Sequence, residues 1–269
     1  MTRALLLAAV ALFTSLATAG LPLMGRMRGK EGALKRMTGI AAGVLLGSGL
    51  LVAIPEGFEI GMHDGGLGPM EAGLAVLGGF LIMLILECFG FGHDIHEEHH
   101  DHEHHHGHDH VHHPSNASAI VLGLSVHALT DGLAIGAAIA SGSLFLTLSI
   151  YFAVIAHKIP AAFSVGVFSG HERAEISHAW RDVALFSLAT PAMILVTFLA
   201  LGDVSATGIG LAILFSGGTF LYVATVDVLP DVHHAETGRA ALVQVLIGAA
   251  LIAAILFGLE ASGLVGHAH

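Results

Sequence analysis

The chain is built from repeated apolar blocks about 20 residues long, the length an α-helix needs to cross the hydrocarbon core of a bilayer. Eight blocks can be read in its 269 residues, at roughly 4–24, 37–57, 71–91, 118–140, 144–168, 183–202, 207–230 and 240–262. Charged residues make up 12% of the chain and hydrophobic residues 54%. A soluble domain carries about 25% charged residues, so this chain has too little polar surface to stay in water. In lipid every backbone N–H and C=O must be satisfied within its own segment. The expectation is an all-α membrane protein with eight transmembrane helices.

The first block also resembles a signal peptide, because Arg3 precedes an apolar run ending in Ala17-Thr18-Ala19. A retained helix is preferred: the run continues through Leu21 and Leu23 to Met24, and the flank after it is the more basic one. The single cysteine, Cys88, excludes an internal disulfide framework and any Cys-based metal cluster. A net charge of -11 argues against nucleic acid, whose binding requires a basic face.

Ten Lys and Arg residues set the orientation. Arg26, Arg28, Lys30, Lys35 and Arg36 lie between helices 1 and 2, Arg173 and Arg181 between 5 and 6, and Arg239 between 7 and 8. Only Arg3 lies on the opposite side, and Lys158 falls within a span. The positive-inside rule makes those three loops cytoplasmic, so both termini face outward. Residues 92–117 then form a cytoplasmic loop between helices 3 and 4. In it His93, His96, His99, His100, His102, His104, His105, His106, His108, His110, His112 and His113 alternate with Asp94, Glu97, Glu98, Asp101, Glu103 and Asp109. Nothing there can build a core, so the loop is expected to be disordered without a ligand. Imidazoles and carboxylates at this density favour weak, multi-site binding of a borderline divalent metal over a merely solvated linker.

Ionisable groups inside spans are costly and usually functional. The candidates are Glu56, Glu87, His127, Asp131, His157, Lys158 and Asp227. Glu56 and Glu87 lie near span ends, where snorkelling also accounts for them. In helix 4, His127 and Asp131 are four residues apart and share a face. Helix 5 contains His157-Lys158-Ile159-Pro160, and a short turn near Ser141-Gly142-Ser143 makes the two helices antiparallel neighbours. His127 and His157 both fall near mid-bilayer, so two nitrogens and one carboxylate can converge with positions left open. That set suits Zn²⁺, and also Fe²⁺ or Mn²⁺. The plainer alternative is a His127–Asp131 hydrogen bond inside a bundle. Pro160 frees the Ala156 carbonyl beside the site, while Gly132 and Gly136 let neighbouring helices approach.

His-x-x-x-Asp-Gly in helix 4 and His-x-x-Pro in helix 5 resemble the two signature helices of the ZIP (Zrt/Irt-like) family of divalent metal transporters. The run from Leu214 to Asp231, with Asp227 within it, resembles that family's seventh helix, and Ile54-Pro55-Glu56-Gly57 the end of its second. His-Lys-x-Pro-Ala-Ala-Phe is similar to the Golgi-type branch. The resemblance implies an eight-helix transporter, usually a homodimer, with helices 1–3 and 6–8 as inverted repeats around the 4–5 pair. In that arrangement Pro55-Glu56 would end helix 2 and Pro230-Asp231 would end helix 7. The order along the chain becomes helices 1–3 over 1–91, the His-rich loop over 92–117, metal-binding helices 4–5 over 118–168 and helices 6–8 over 169–269.

Many family members hold two adjacent metals, but the positions that would supply the second site are here Ala128, Lys158 and Ala161. The expectation is therefore one transport ion at His127, Asp131 and His157, with the Lys158 ammonium in place of the second cation's charge. A buried ammonium requires a carboxylate partner or must become neutral. Asp131 or an acid from helix 2 or 7 is a candidate partner, and snorkelling is the alternative.

The function implied is transport of Zn²⁺, or of Fe²⁺, Mn²⁺ or Cd²⁺, toward the cytoplasm by alternating access, without a cofactor and without enzymatic activity. The ion would enter past Glu59, His63, Asp64 and Glu56. It would leave past Asp227, Asp231, His233 and His234. Without a nucleotide-binding motif, such transport runs on gradients. A zinc-dependent intramembrane hydrolase is a different class of reading, yet no span carries His-Glu-x-x-His. A metal-sensing receptor without flux is a third, and a cation-diffusion effluxer would be expected to have six spans. Short loops and the lack of a targeting extension lead to the expectation of a bacterial inner membrane.

Overall fold

The computed structural model describes residues 1–24, 31–89, 117–202, 205–233 and 238–261, and of residues 31–38, 117, 119, 120 and 227–233 the backbone alone. The expected histidine loop, 92–117, lies outside the described residues except at its last position. Among the described residues there are eight helices long and apolar enough to cross a membrane. We number them α1 (Thr2–Leu23), α2, α3 (Pro69–Cys88), α4 (Ala117–Ala140), α5 (Leu144–Glu172), α6 (Ile176–Leu201), α7 (Ala206–His233) and α8 (Gly238–Ala261). Helix α2 begins at Glu31–Ser48 and continues through a π-helical turn at Gly49–Ala53, an α-helical turn at Ile54–Phe58 and a second π-helical turn at Glu59–Asp64.

Three expectations about helix ends need correction. Pro55-Glu56 does not end α2, because the chain stays helical to Asp64. Proline lacks an N–H and crowds the carbonyl four residues back. Here the preceding turn is widened, and the Ile54 N–H donates to the Gly49 carbonyl five residues back, so the helix accepts Pro55 without breaking. Likewise α7 runs on past Pro230 to His233. Helix α6 begins at Ile176, several residues before the expected start at 183, and so includes Arg181 and Asp182.

Packing partners repeat when α1–α3 are exchanged with α6–α8 and α4 with α5. α1 lies against α5 as α6 lies against α4, and α2 lies against α8 as α7 lies against α3. α2 touches α5 as α7 touches α4, and the pairs α1–α6 and α2–α7 each map onto themselves. Inverted repeats around an in-plane axis give this pattern. α3 and α8 lie outermost, with Leu74, Leu77, Leu242, Leu246 and Phe257 exposed toward where lipid would be.

α4 and α5 form the inner pair. Gly142, at φ 77, turns the chain between them, since only glycine adopts that conformation without strain. Ser143 then caps α5 by accepting the Leu146 N–H at 3.2 Å. Close approach of α4 to α6 depends on Gly132, where a Cβ would sit 2.5 Å from the Thr190 carbonyl oxygen. The Thr190 hydroxyl fixes the same crossing by donating to the Ala128 carbonyl at 2.7 Å.

Candidate metal centre

His127 lies near the midpoint of α4 and His157 near the midpoint of α5, so both imidazoles reach the interior at the same depth. His127, Asp131, His157 and Lys158 are all buried, with at most 3% of their surface exposed. A single carboxylate organises them. His127 Nε2 stands 3.7 Å and His157 Nε2 3.2 Å from Asp131 Oδ1, and the three ligand atoms lie within 4.8 Å of one another. Tetrahedral zinc with bonds of about 2.0–2.1 Å separates its ligand atoms by roughly 3.3 Å. The spacing therefore fits one ion.

The hydrogen bonding of His157 adds a chemical argument. Its Nδ1 lies 3.0 Å from the Ala153 carbonyl, which can only accept, so Nδ1 carries the proton and donates. Nε2 then presents a lone pair to a carboxylate oxygen at 3.2 Å. That contact is satisfied by a proton shared between the two groups or by a metal ion held by both.

Lys158 occupies the other side of the carboxylate. Its Nζ stands 3.6 Å from Asp131 Oδ2, longer than a good hydrogen bond, and 4.5 Å above the centre of the Phe186 ring on α6. The snorkelling alternative is thus not what the side chain does. Among the described residues, Asp131 is the candidate partner it meets. At 3.7 Å, the His127–Asp131 contact is also looser than the simple hydrogen bond of the plainer alternative.

Residues without an ionisable group complete the centre, and sequence reasoning missed them. Phe220 of α7, fully buried, packs against His157 with ring centroids 5.8 Å apart and planes at 64°. The Thr130 hydroxyl donates to the His127 carbonyl at 2.7 Å and lies 3.3 Å from the Thr219 hydroxyl on α7. Phenylalanine in an apolar helix carries no signal of its own. The only hint was that Phe220 falls inside the stretch from Leu214 to Asp231.

The remaining candidates lie elsewhere. Glu56 is partly buried within α2 rather than at its end. Glu87 accepts a short hydrogen bond from the Tyr222 hydroxyl on α7, whose ring meets Phe80 edge-on at 5.1 Å. Glu59, His63 and Asp64 lie on the last turn of α2, where His63 and Asp64 are exposed and 3.7 Å apart. The side chains of Asp227, Asp231 and His233, His234 itself, and the histidines from His93 to His113 lie outside the described residues.

Comparison with known proteins gives a single direction. The sequence matches the family described as ZIP Zinc transporter over residues 90–256. It is 32% identical to zinc transporter ZIP9-A of Xenopus laevis, over 89% of this chain and 90% of that protein. It is 33% identical to zinc transporter ZIP9 of Micropogonias undulatus, over 77% of this chain and 80% of that one. Zinc transporter ZIP9 of Macaca fascicularis is 42% identical over 55% of this chain and 67% of its own length. These relatives are animal proteins and lend no support to a bacterial inner membrane. They are named as transporters, which leaves the hydrolase reading without support. With eight membrane-spanning helices and matches of this extent, the chain is an integral membrane protein and belongs to the ZIP family.

Proposed function

We propose that this protein carries Zn²⁺ across the bilayer toward the cytoplasm through one intramembrane site formed by His127, Asp131 and His157. What supports the reading most is the convergence of three buried ligand atoms, from His127, Asp131 and His157, within 4.8 Å of one another. The ion gives up water at these three ligands and keeps open positions for what remains. The set also accommodates Fe²⁺, Mn²⁺ or Cd²⁺, so zinc rests on the relatives' names.

Lys158 stands in for a second cation. It holds Asp131 Oδ2 and leaves Oδ1 to the transported ion. Replacing it with an acid, Lys158→Glu, should allow two metals per protomer at this centre, whereas one or none would count against the substitution idea. Movement is by alternating access, because a site buried from both faces must open to each in turn. Glu56 lies on the entry route, and Asp227 and Asp231 lead out toward the cytoplasmic loop of 92–117, where the histidines from His93 to His113 receive the ion. Both termini face outward, and two copies form a homodimer.

Zn²⁺ entry into sealed proteoliposomes holding a zinc-sensitive dye tests the reading, with His127→Ala/Asp131→Ala reconstituted beside the native protein. Entry that disappears in the double variant supports transport through this centre. Equal background signals from folded, zinc-binding native protein would overturn it.

A further inference from the structure

Around the proposed metal centre, one stretch of α7, from Ser216 to Tyr222, touches four helices, α2, α3, α4 and α5. Ser216 Oγ lies 3.4 Å from the Thr130 carbonyl of α4, and Thr219 reaches the Thr130 hydroxyl. Gly217 lies against Ala53 and Ile54 of α2, and Gly218 against the backbone of Val76 and Phe80 in α3, where a Cβ would collide with the Val76 carbonyl. Tyr222 is tied to Glu87 at the end of α3. With its neighbours fixed on three sides, this stretch holds Phe220 against His157 on the fourth, α5.

The His157 ring has one contact to a fixed backbone group, Nδ1 to the Ala153 carbonyl, and a second, Nε2 to Asp131, at the position proposed for the ion, so packing helps to set its plane. Phe220 is fully buried, so its ring has no alternative place in solvent. His127 is His157's other aromatic neighbour, with centroids 5.7 Å apart, and is itself a proposed ligand. Among the described residues, Phe220 is the aromatic ring outside the ligand set that meets His157, and it can help to set its plane.

We propose that Phe220 is a positioning residue for ion binding: its ring fixes the His157 imidazole so that Nε2 points at the ion, tying the strength of the site to the placement of α7. The inference rests on the ligand reading above. Groups that orient a metal ligand typically contribute 10–100-fold in affinity.

The test uses the full chain with Phe220→Ala and Phe220→Leu, and two readouts. One is the Zn²⁺ dependence of entry into proteoliposomes. The other is the visible absorption of added Co²⁺, taken as the difference between each protein and the same protein carrying His157→Ala, which cancels cobalt held elsewhere. In Phe220→Ala we expect the half-saturating Zn²⁺ concentration to rise about tenfold, with a smaller change in maximal rate and altered cobalt bands. Phe220→Leu, which fills most of the space without a flat ring, should fall between Ala and Phe. A variant that merely packs badly would lower the maximal rate with the amount of folded protein and leave half-saturation and cobalt bands unchanged. That result in either folded variant would overturn the proposal. Absence of any native-minus-His157→Ala difference would instead remove the ligand reading, and Phe220's role with it.

Discussion

Among the described residues, two aspartates are buried among cations, and they are held in opposite ways. Asp182, on α6, is 2% exposed and accepts a tight 2.6 Å hydrogen bond from Arg173 Nε at the end of α5. Arg181 adds a second charge at 3.9 Å, and Arg173 also donates to Ser118 of α4 at 3.2 Å. Asp131 has three basic neighbours, all at 3.2 Å or more. A guanidinium is always charged and matches a carboxylate's geometry, so the Asp182 cluster is complete as it stands. The Asp131 cluster is looser, with two imidazole nitrogens and a carboxylate oxygen within 4.8 Å of one another. In the function proposed above, the tight pair fastens helix ends and the loose cluster binds the ion.

The largest effect on this contrast should come from Lys158→Met. Removing one partner of a buried ion pair costs about 3–5 kcal/mol because the other charge is left buried alone. Zn²⁺ would restore a cation beside Asp131, so the variant's melting temperature should rise more on zinc addition than the native protein's. Equal zinc shifts in the two would break the link between Lys158 and the ion. At the other cluster, Arg173→Gln removes a charge-assisted hydrogen bond of about 1.5–3 kcal/mol. Thermal stability should drop while Zn²⁺ entry per folded protein stays native, and a changed half-saturation would blur the distinction.

Gly132→Ala comes next. Its methyl group would meet the Thr190 carbonyl at 2.5 Å and push α4 from α6, at about 1–3 kcal/mol. Because Asp131 is the adjacent residue, both stability and half-saturation should suffer, unlike Arg173→Gln. Acidification should have the smallest effect. Metal ligands bind in their deprotonated form, so half-saturation should rise as pH falls from 7 to 5. Entry that increases steadily over that range would indicate proton co-transport instead.

The difference between the clusters was only half legible in the sequence. His127 and Asp131 four apart, with His157 three before a proline, were enough to bring these three side chains together, because helical spacing determines which side chains share a face. Lys158's partner could not be chosen among several acids without knowing how helices cross. The Asp182 cluster was hidden because its charges lie just before an apolar run, so α6 was begun too late. α2 was cut short for the opposite reason: Pro55 looked like a terminator, but a widened turn absorbs it. Phe220 was invisible, since one more phenylalanine in an apolar helix changes no pattern.

The central claim is that Asp131 serves the ion and Asp182 serves the fold. Its most direct test is Zn²⁺ entry into proteoliposomes by Asp131→Asn and Asp182→Asn side by side, each divided by the amount of folded protein. We predict that Asp131→Asn loses entry by about 100-fold, whereas Asp182→Asn folds in lower yield but transports within about twofold of native once normalised. Native-like entry by folded Asp131→Asn, or equal losses in both variants after normalisation, would contradict the account.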